Sequence, residues 1–179
     1  MEPITSVQEL IENFDDADPL EQAKIIKNID IPLTNLLEYA SWKANDYTRN
    51  CLAKTDDYEF ILLCWEGNSE TAIHDHAGQN CWVHQLSGTV LETRYSVDNK
   101  ELKIDSIGTL NPGQVSYMND TLGYHKIENN SSKRAMTLHV YVKPITACQV
   151  LNEETECFES KEMTYDQVLE VSVDEMHST

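Results

Sequence analysis

The chain reads as an all-β protein, a barrel or double-sheet jelly roll behind a short helical N-terminal segment. Three observations predict this. From Tyr47 onward, short apolar or alternating runs follow one another at hairpin spacing. Turn-forming residues stand between the runs. Helical periodicity is confined to the residues before that point.

In the helical part, Ser6 followed by Glu9 has the form of a capping box, and Val7, Leu10, Ile11 and Phe14 carry helical spacing. Leu20, Ala23 and Ile26 predict a second short helix, and Leu33, Leu36, Leu37 and Tyr39 a third after Pro32. The strand candidates are Phe60–Trp65, Thr71–His76, Trp82–Leu86, Val90–Tyr95, Leu102–Ile107, Gln114–Met118, Tyr124–Ile127 and Met136–Val142. Glu66-Gly67-Asn68, Ser87-Gly88, Asp98-Asn99, Asn111-Pro112-Gly113 and Asn129-Asn130-Ser131 mark turns between them. A length of 179 residues suits a single domain: a helical cap over 1–45, a barrel over 46–165, and a loose acidic tail over 166–179.

The composition narrows the function classes. Apolar residues make up 40% and charged residues 25%, as in an ordinary soluble globular protein. Thirteen Lys and Arg face thirty-one Asp and Glu, a formal net charge of -18. Such a chain is repelled by polyanions, so neither nucleic acid nor an anionic membrane is an expected partner. No run is long and apolar enough to span a bilayer, and the acidic N-terminus lacks the form of a secretory signal. Five cysteines without framework spacing predict free thiols in a reducing compartment, and a cytoplasmic monomer is the simplest expectation.

The chemistry is concentrated in a few positions. On a strand, His74 and His76 would point to one face and Asp75 to the other, which lets two imidazoles grip one ion. An isolated pair of this kind is equally often structural. The pattern continues, however, with Cys81 after four residues and Gly88 after six more, and three residues separate His125 from Asn129. This spacing resembles the two cupin motifs and implies a cupin jelly-roll barrel, with Cys81 in the slot where the general motif has a carboxylate. A His74, His76 and His125 set would be neutral, unlike the common iron site of two His and one carboxylate. Such a site favours an anionic substrate, and a thiolate suits it well. On ligands alone, zinc also fits.

A co-linear set of segments resembles the cysteine dioxygenase family from Tyr47 to about Cys148. The matching segments are Tyr47-Thr48-Arg49-Asn50, Leu63-Cys64-Trp65, Ile73-His74-Asp75-His76, Cys81, Leu91-Glu92-Thr93, Gly123-Tyr124-His125-Lys126-Ile127-Glu128-Asn129 and Thr137-Leu138-His139-Val140-Tyr141. The resemblance implies that His74, His76 and His125 ligate Fe(II). It places Arg49 on the substrate carboxylate, Tyr47 in the same pocket and Cys148 near its mouth. Cys81 and Tyr141 fall on a pair joined by a thioether, and Thr137 and His139 on partners of the Tyr141 hydroxyl. The implied reaction adds both atoms of O₂ to the sulfur of L-cysteine, giving cysteine sulfinic acid.

Physical reasons support these roles. Arg49 offers a rigid fork that matches a carboxylate in two parallel bonds, although in so acidic a chain a surface ion pair is the common fate of an arginine. Thr137, His139 and Tyr141 alternate and should share a face, where a hydrogen-bonded row from Thr to His to Tyr would hold the phenol. A purely structural polar ladder has the same pattern. Val142-Lys143-Pro144 departs from the family, whose first proline carries a cis bond; with Lys143 there, no cis bond is expected. His84 and His177 are expected not to be ligands, and Cys51 and Cys157 have no role. Two rivals stand: a thiol dioxygenase for 3-mercaptopropionate or cysteamine, and a non-catalytic metal-binding cupin. Cysteamine gives Arg49 nothing to hold, and metal storage requires neither Arg49 nor the Cys81, His139 and Tyr141 group.

Overall fold

The computed structural model describes residues 2–15, 17–99 and 101–169. Its centre is formed by the two most continuous apolar runs, β2 (Glu59–Trp65) and β9 (Ala135–Val142), in which nearly every residue is buried. Phe60, Leu62 and Cys64 pack with Met136, Leu138 and Val140 beneath the N-terminal helices. The alternate residues Ile61, Leu63, Trp65, Ala135 and Tyr141 face the barrel interior. A strand covered on both sides loses the apolar–polar alternation, so these two read as unbroken apolar runs.

The sheet around them adds β1 (Tyr47–Lys54), β4 (Asn80–Ser87), β7 (Val115–Met118) and a short β12 (Gln167–Val168), in the order β12-β1-β2-β9-β4-β7. A second sheet, ordered β3-β8-β5-β6, comprises β3 (Ser69–Glu70), β8 (Tyr124–Asn129), β5 (Val90–Asp98) and β6 (Glu101–Leu110). Val90 and Ile127 from this second sheet join the interior cluster, which closes the jelly-roll barrel of the cupin type. β10 (Ala147–Asn152) and β11 (Cys157–Glu162) form a separate hairpin. Gly123, with φ 90°, enters β8, where a Cβ would lie 2.2 Å from the Tyr95 carbonyl oxygen. Only glycine lets β8 start this close to β5, and His125 follows two residues later.

The cap agrees with expectation in its first two elements, α1 (Val7–Phe14) and α2 (Pro19–Lys27). Ser6 Oγ accepts the Glu9 amide at 3.1 Å, but the Glu9 carboxylate turns to Thr5, so only half of that box forms. The complete capping box is at Asp18 and Glu21. The third helix is absent: Leu33–Asn35 and Leu37–Tyr39 are two 3₁₀ turns. Leu33 and Leu37 are exposed and only Leu36 is fully buried, so no apolar stripe sustains a helix there.

Three further expectations are corrected. Thr71–His76 is not a strand; His74 makes only isolated bridges to His125 and Val150. The peptide between Val142 and Lys143 is cis, although Lys143 has replaced a proline. Its own amide and the one at Ile145 are held, with Lys143 N donating to Gln79 Oε1 at 3.1 Å and Ile145 N to Glu59 Oε1 at 3.0 Å. The tail does not begin loose: Gln167 and Val168 pair in parallel with Asn50 and Cys51, and Asp166 N donates to the Arg49 carbonyl at 2.8 Å. The rest of the tail, His177 included, lies outside the described residues. All five cysteines are free, as expected. Among the described residues, no helix is long and apolar enough to cross a membrane.

Candidate metal centre

His74, His76 and His125 come together, with one ring nitrogen from each lying within 4.8 Å of the others. They arrive by a different route from the shared strand face read in the sequence. His125 is the second residue of β8, and it exchanges backbone hydrogen bonds of 3.0 Å in both directions with His74. His76 sits on the turn that follows, where Ala77 and Gly78 have φ of 51° and 82°. Two aspartates shape that turn. Asp120 accepts the His76 amide at 2.8 Å and the Gly78 amide at 2.6 Å, and Asp75 Oδ1 accepts the Gln149 amide at 2.8 Å. Short acidic side chains that bond backbone amides in this way compete with a strand ladder.

The open nitrogens show what the cluster fits. His74 Nδ1 lies 2.9 Å from the Ala72 carbonyl and His125 Nδ1 2.8 Å from Glu92 Oε1, which leaves Nε2 of each ring for another partner. His125 Nε2 and both ring nitrogens of His76 are buried and unpaired among the described residues. Leaving such atoms without a partner costs about 1–3 kcal/mol each. Burial holds His74 down to about 3, and it also holds His76 well below the ordinary histidine range. Neutral imidazoles with converging free nitrogens suit a metal ion, which would satisfy them.

Glu92, which has no role in the sequence analysis, is a buried carboxylate in direct contact with the cluster through His125. Its Oε2 accepts Ser116 Oγ at 2.7 Å and lies 3.2 Å from Arg94 Nη2. Burial pushes its carboxyl up, but His125, Ser116 and Arg94 outweigh that and hold it down to about 2. Its signal was its register: Glu92 is the direct partner of Ile127 on β8, two residues from the Arg94–His125 pair.

The neighbouring strands supply the rest of the site. Tyr47 and Arg49 alternate on β1, and His139 and Tyr141 on β9; together with His74 they line one small cavity. Tyr47 stacks on Trp65 at 4.9 Å between centroids. Arg49 is only 8% exposed; its Nε donates to the Thr164 carbonyl at 3.1 Å, while its Nη2 is buried and unpaired among the described residues. Cys81 and Tyr141 are direct partners on β4 and β9, and the thiol and phenol interact. Burial pushes both well above their ordinary ranges.

The expected polar row forms only in part. Thr137 Oγ1 lies 3.0 Å from His139 Nε2 and accepts Trp65 Nε1 at 2.9 Å. The link from His139 to Tyr141 is missing: their rings stack at 6.2 Å and His139 Nδ1 is unpaired among the described residues. The phenol is held beside Arg49 and Cys81 instead. Cys148 does not line the cavity. It is buried in the interior cluster with its sulfur 3.4 Å from Met163 Sδ. His84 points away from the site to the Ile26 carbonyl at 2.9 Å, as its opposite strand face requires.

The family described as Cysteine dioxygenase type I matches residues 3–154. The chain belongs to the cysteine dioxygenase type I family. It is 32% identical to the cysteine dioxygenase type 1 of Rattus norvegicus over 122 residues, 65% of this chain and 61% of that protein. The match therefore spans about three-fifths of the rat relative. To the Danio rerio protein of the same name it is 29% identical over 135 residues, 72% of this chain and 67% of the other. Among solved structures, a Thermus thermophilus protein named TT1209 superposes with a TM-score of 0.51 at 19% identity, covering 61% of this chain and 95% of that one. That likeness concerns the barrel fold. Family membership and the three-histidine cluster agree on a metal-dependent site in this barrel.

Proposed function

We propose that the protein is an Fe(II)-dependent cysteine dioxygenase that adds both atoms of O₂ to the thiol of L-cysteine, giving cysteine sulfinic acid. The carrying observation is Arg49: a buried guanidinium with an unpaired Nη2, lining the same cavity as His74 and Tyr141. A buried donor of this kind calls for an anionic partner, and a substrate carboxylate supplies two acceptors in the right plane. Iron held by His74, His76 and His125 would provide the thiol-binding and O₂-activating chemistry. Arg49 would orient the substrate, and the Tyr47–Trp65 stack would wall its side. Tyr141, whose burial keeps its hydroxyl protonated, would offer a proton beside the reacting sulfur. The overall reaction balances with one thiol and one O₂ giving one sulfinic acid.

Cysteine-dependent O₂ uptake by the iron-loaded protein, with cysteine sulfinic acid identified by mass, tests this reading. Arg49→Gln loses a bidentate charged contact and should lower kcat/KM for cysteine about 10- to 100-fold. Faster turnover of 3-mercaptopropionate than of cysteine by the unaltered protein would assign the other thiol, and the absence of a sulfinic product would end the proposal.

The same reading includes a Cys81–Tyr141 thioether, favoured by their direct cross-strand pairing. Forming the C–S bond would remove the thiol hydrogen and one ring hydrogen, two protons and two electrons that O₂ would take up as hydrogen peroxide, and a bound iron would supply the redox chemistry. Peptide mass spectrometry after turnover should find a linked pair lighter by two hydrogens than the separate peptides. Finding only separate peptides in protein that turns over cysteine would dismiss the bond and leave the activity standing.

A further inference from the structure

A second cation reaches the cavity from the β10–β11 hairpin, beyond residues 3–154 that the family matches. Lys161 lies directly opposite Cys148 in that hairpin. Directly opposed residues of an antiparallel pair project to one face, and Cys148 is buried in the barrel interior. Lys161 therefore leans over the opening. It lines the inner cavity with Arg49 and His74, and also an adjoining outer cavity of about 310 Å³. Apart from Arg49, whose Nη2 is unpaired among the described residues, the other charged groups of this outer cavity are engaged. Lys43 pairs with Asp46 at 2.6 Å, Glu70 with Lys126 at 2.9 Å, and Asp166 Oδ2 accepts the Arg49 amide at 2.8 Å. The Lys161 side chain forms no hydrogen bond or ion pair among the described residues.

We propose that Lys161 is a specificity-determining residue, whose ammonium receives the carboxylate of an incoming thiol at the mouth and passes it inward to Arg49. The proposal rests on the thiol dioxygenase reading of the site. With a net charge of -18, the protein repels anions at long range. A local cation at the mouth opposes that repulsion and raises the anion concentration at the opening. Arg49 then recognises the carboxylate, and Lys161 governs how readily it arrives.

The test compares Lys161→Glu, Lys161→Met and Lys161→Arg in the full, iron-loaded chain. Charge reversal should lower kcat/KM about tenfold for 3-mercaptopropionate, a net anion, and about threefold for zwitterionic cysteine. The loss should sit in KM, with kcat close to that of the unaltered protein. For cysteamine, which lacks a carboxylate and carries a cation, kcat/KM should rise. Lys161→Arg should restore the carboxylate substrates, and Lys161→Met should flatten the fall of kcat/KM with added salt. Oxygen-free calorimetric titration of the same thiols should show matching changes in Kd without any turnover. Equal losses for cysteamine, or carboxylate thiols that bind Lys161→Glu as tightly as the unaltered chain, would overturn the proposal. If the unaltered protein forms no sulfinic acid, the dioxygenase reading fails separately, and the calorimetric comparison still decides the role of Lys161.

Discussion

Replacing His76 with alanine should remove nearly all bound iron and cysteine turnover while leaving a folded protein. Both ring nitrogens of His76 are buried and unpaired among the described residues, so without a metal this side chain contributes unsatisfied polar atoms to the interior. Its removal leaves a small cavity but relieves that penalty, and the two effects oppose each other. Metal-free His76→Ala should therefore unfold in urea near the midpoint of the metal-free unaltered protein. The difference appears on adding Fe(II). A ligand that binds only the folded state stabilises it by about 2.7 kcal/mol at a hundredfold excess over its Kd, and the unaltered chain should show that shift. His76→Ala should show little of it, because a two-histidine remnant binds far more weakly. The same loss of iron and of the Fe(II)-induced shift is expected for His74→Ala and His125→Ala. A His76→Ala protein with full iron content and a full Fe(II)-induced shift would show that the cluster is not the metal centre.

The sequence made the barrel legible where burial and strand period worked together. The β2 and β9 runs follow from burial on both faces, and the alternation of Thr137, His139 and Tyr141 and the outward direction of His84 from a period of two. Legibility failed where other forces decide the backbone. β1, with its polar Tyr-Thr-Arg-Asn start, was not read as a strand, because its polar side chains are satisfied by tertiary partners that a pattern does not show. Asn50 Nδ2 donates to the Leu62 carbonyl at 3.1 Å, and Thr48 Oγ1 to the Ser41 carbonyl at 2.7 Å. The β10–β11 hairpin escaped because Cys157–Glu162 is mostly exposed and carries no apolar alternation. The two histidines of His74-Asp75-His76 were brought together correctly but by the wrong means. Backbone amides captured by Asp120 and Asp75 turn the chain there, and carboxylates that act across 44 and 74 residues leave no local trace. The missing His139–Tyr141 bond has a similar cause, since a shared strand face fixes direction and not which polar atoms meet.

Glu92→Gln should weaken iron binding about 10- to 100-fold, with cysteine turnover falling in step at limiting iron. Glu92 accepts from His125 Nδ1 at 2.8 Å, which fixes the tautomer that presents Nε2 to the other two histidines. The carboxylate also anchors Ser116 Oγ and the Arg94 guanidinium through Oε2. An amide of the same shape retains one acceptor oxygen and turns the other position into a donor. If that oxygen stays on His125, the new NH₂ faces Ser116 and Arg94, both donors to Glu92 in the native arrangement. If the amide flips, His125 Nδ1 meets a donor and the imidazole must rotate or change tautomer. Either choice leaves a half-buried donor unpaired at a cost of about 1–3 kcal/mol, so the urea midpoint should fall as well. The two effects separate on adding iron. Excess Fe(II) should recover much of the kcat, because Glu92 acts on the metal through His125 and does not itself touch substrate. It should not recover the stability lost by metal-free protein. Glu92→Asp keeps the charge but shortens the reach to His125, and its iron affinity should lie between those of Glu92→Gln and the unaltered chain. If Glu92→Gln binds iron as tightly as the unaltered protein, His125 is oriented by its place on β8 alone and the carboxylate is merely a partner for Arg94.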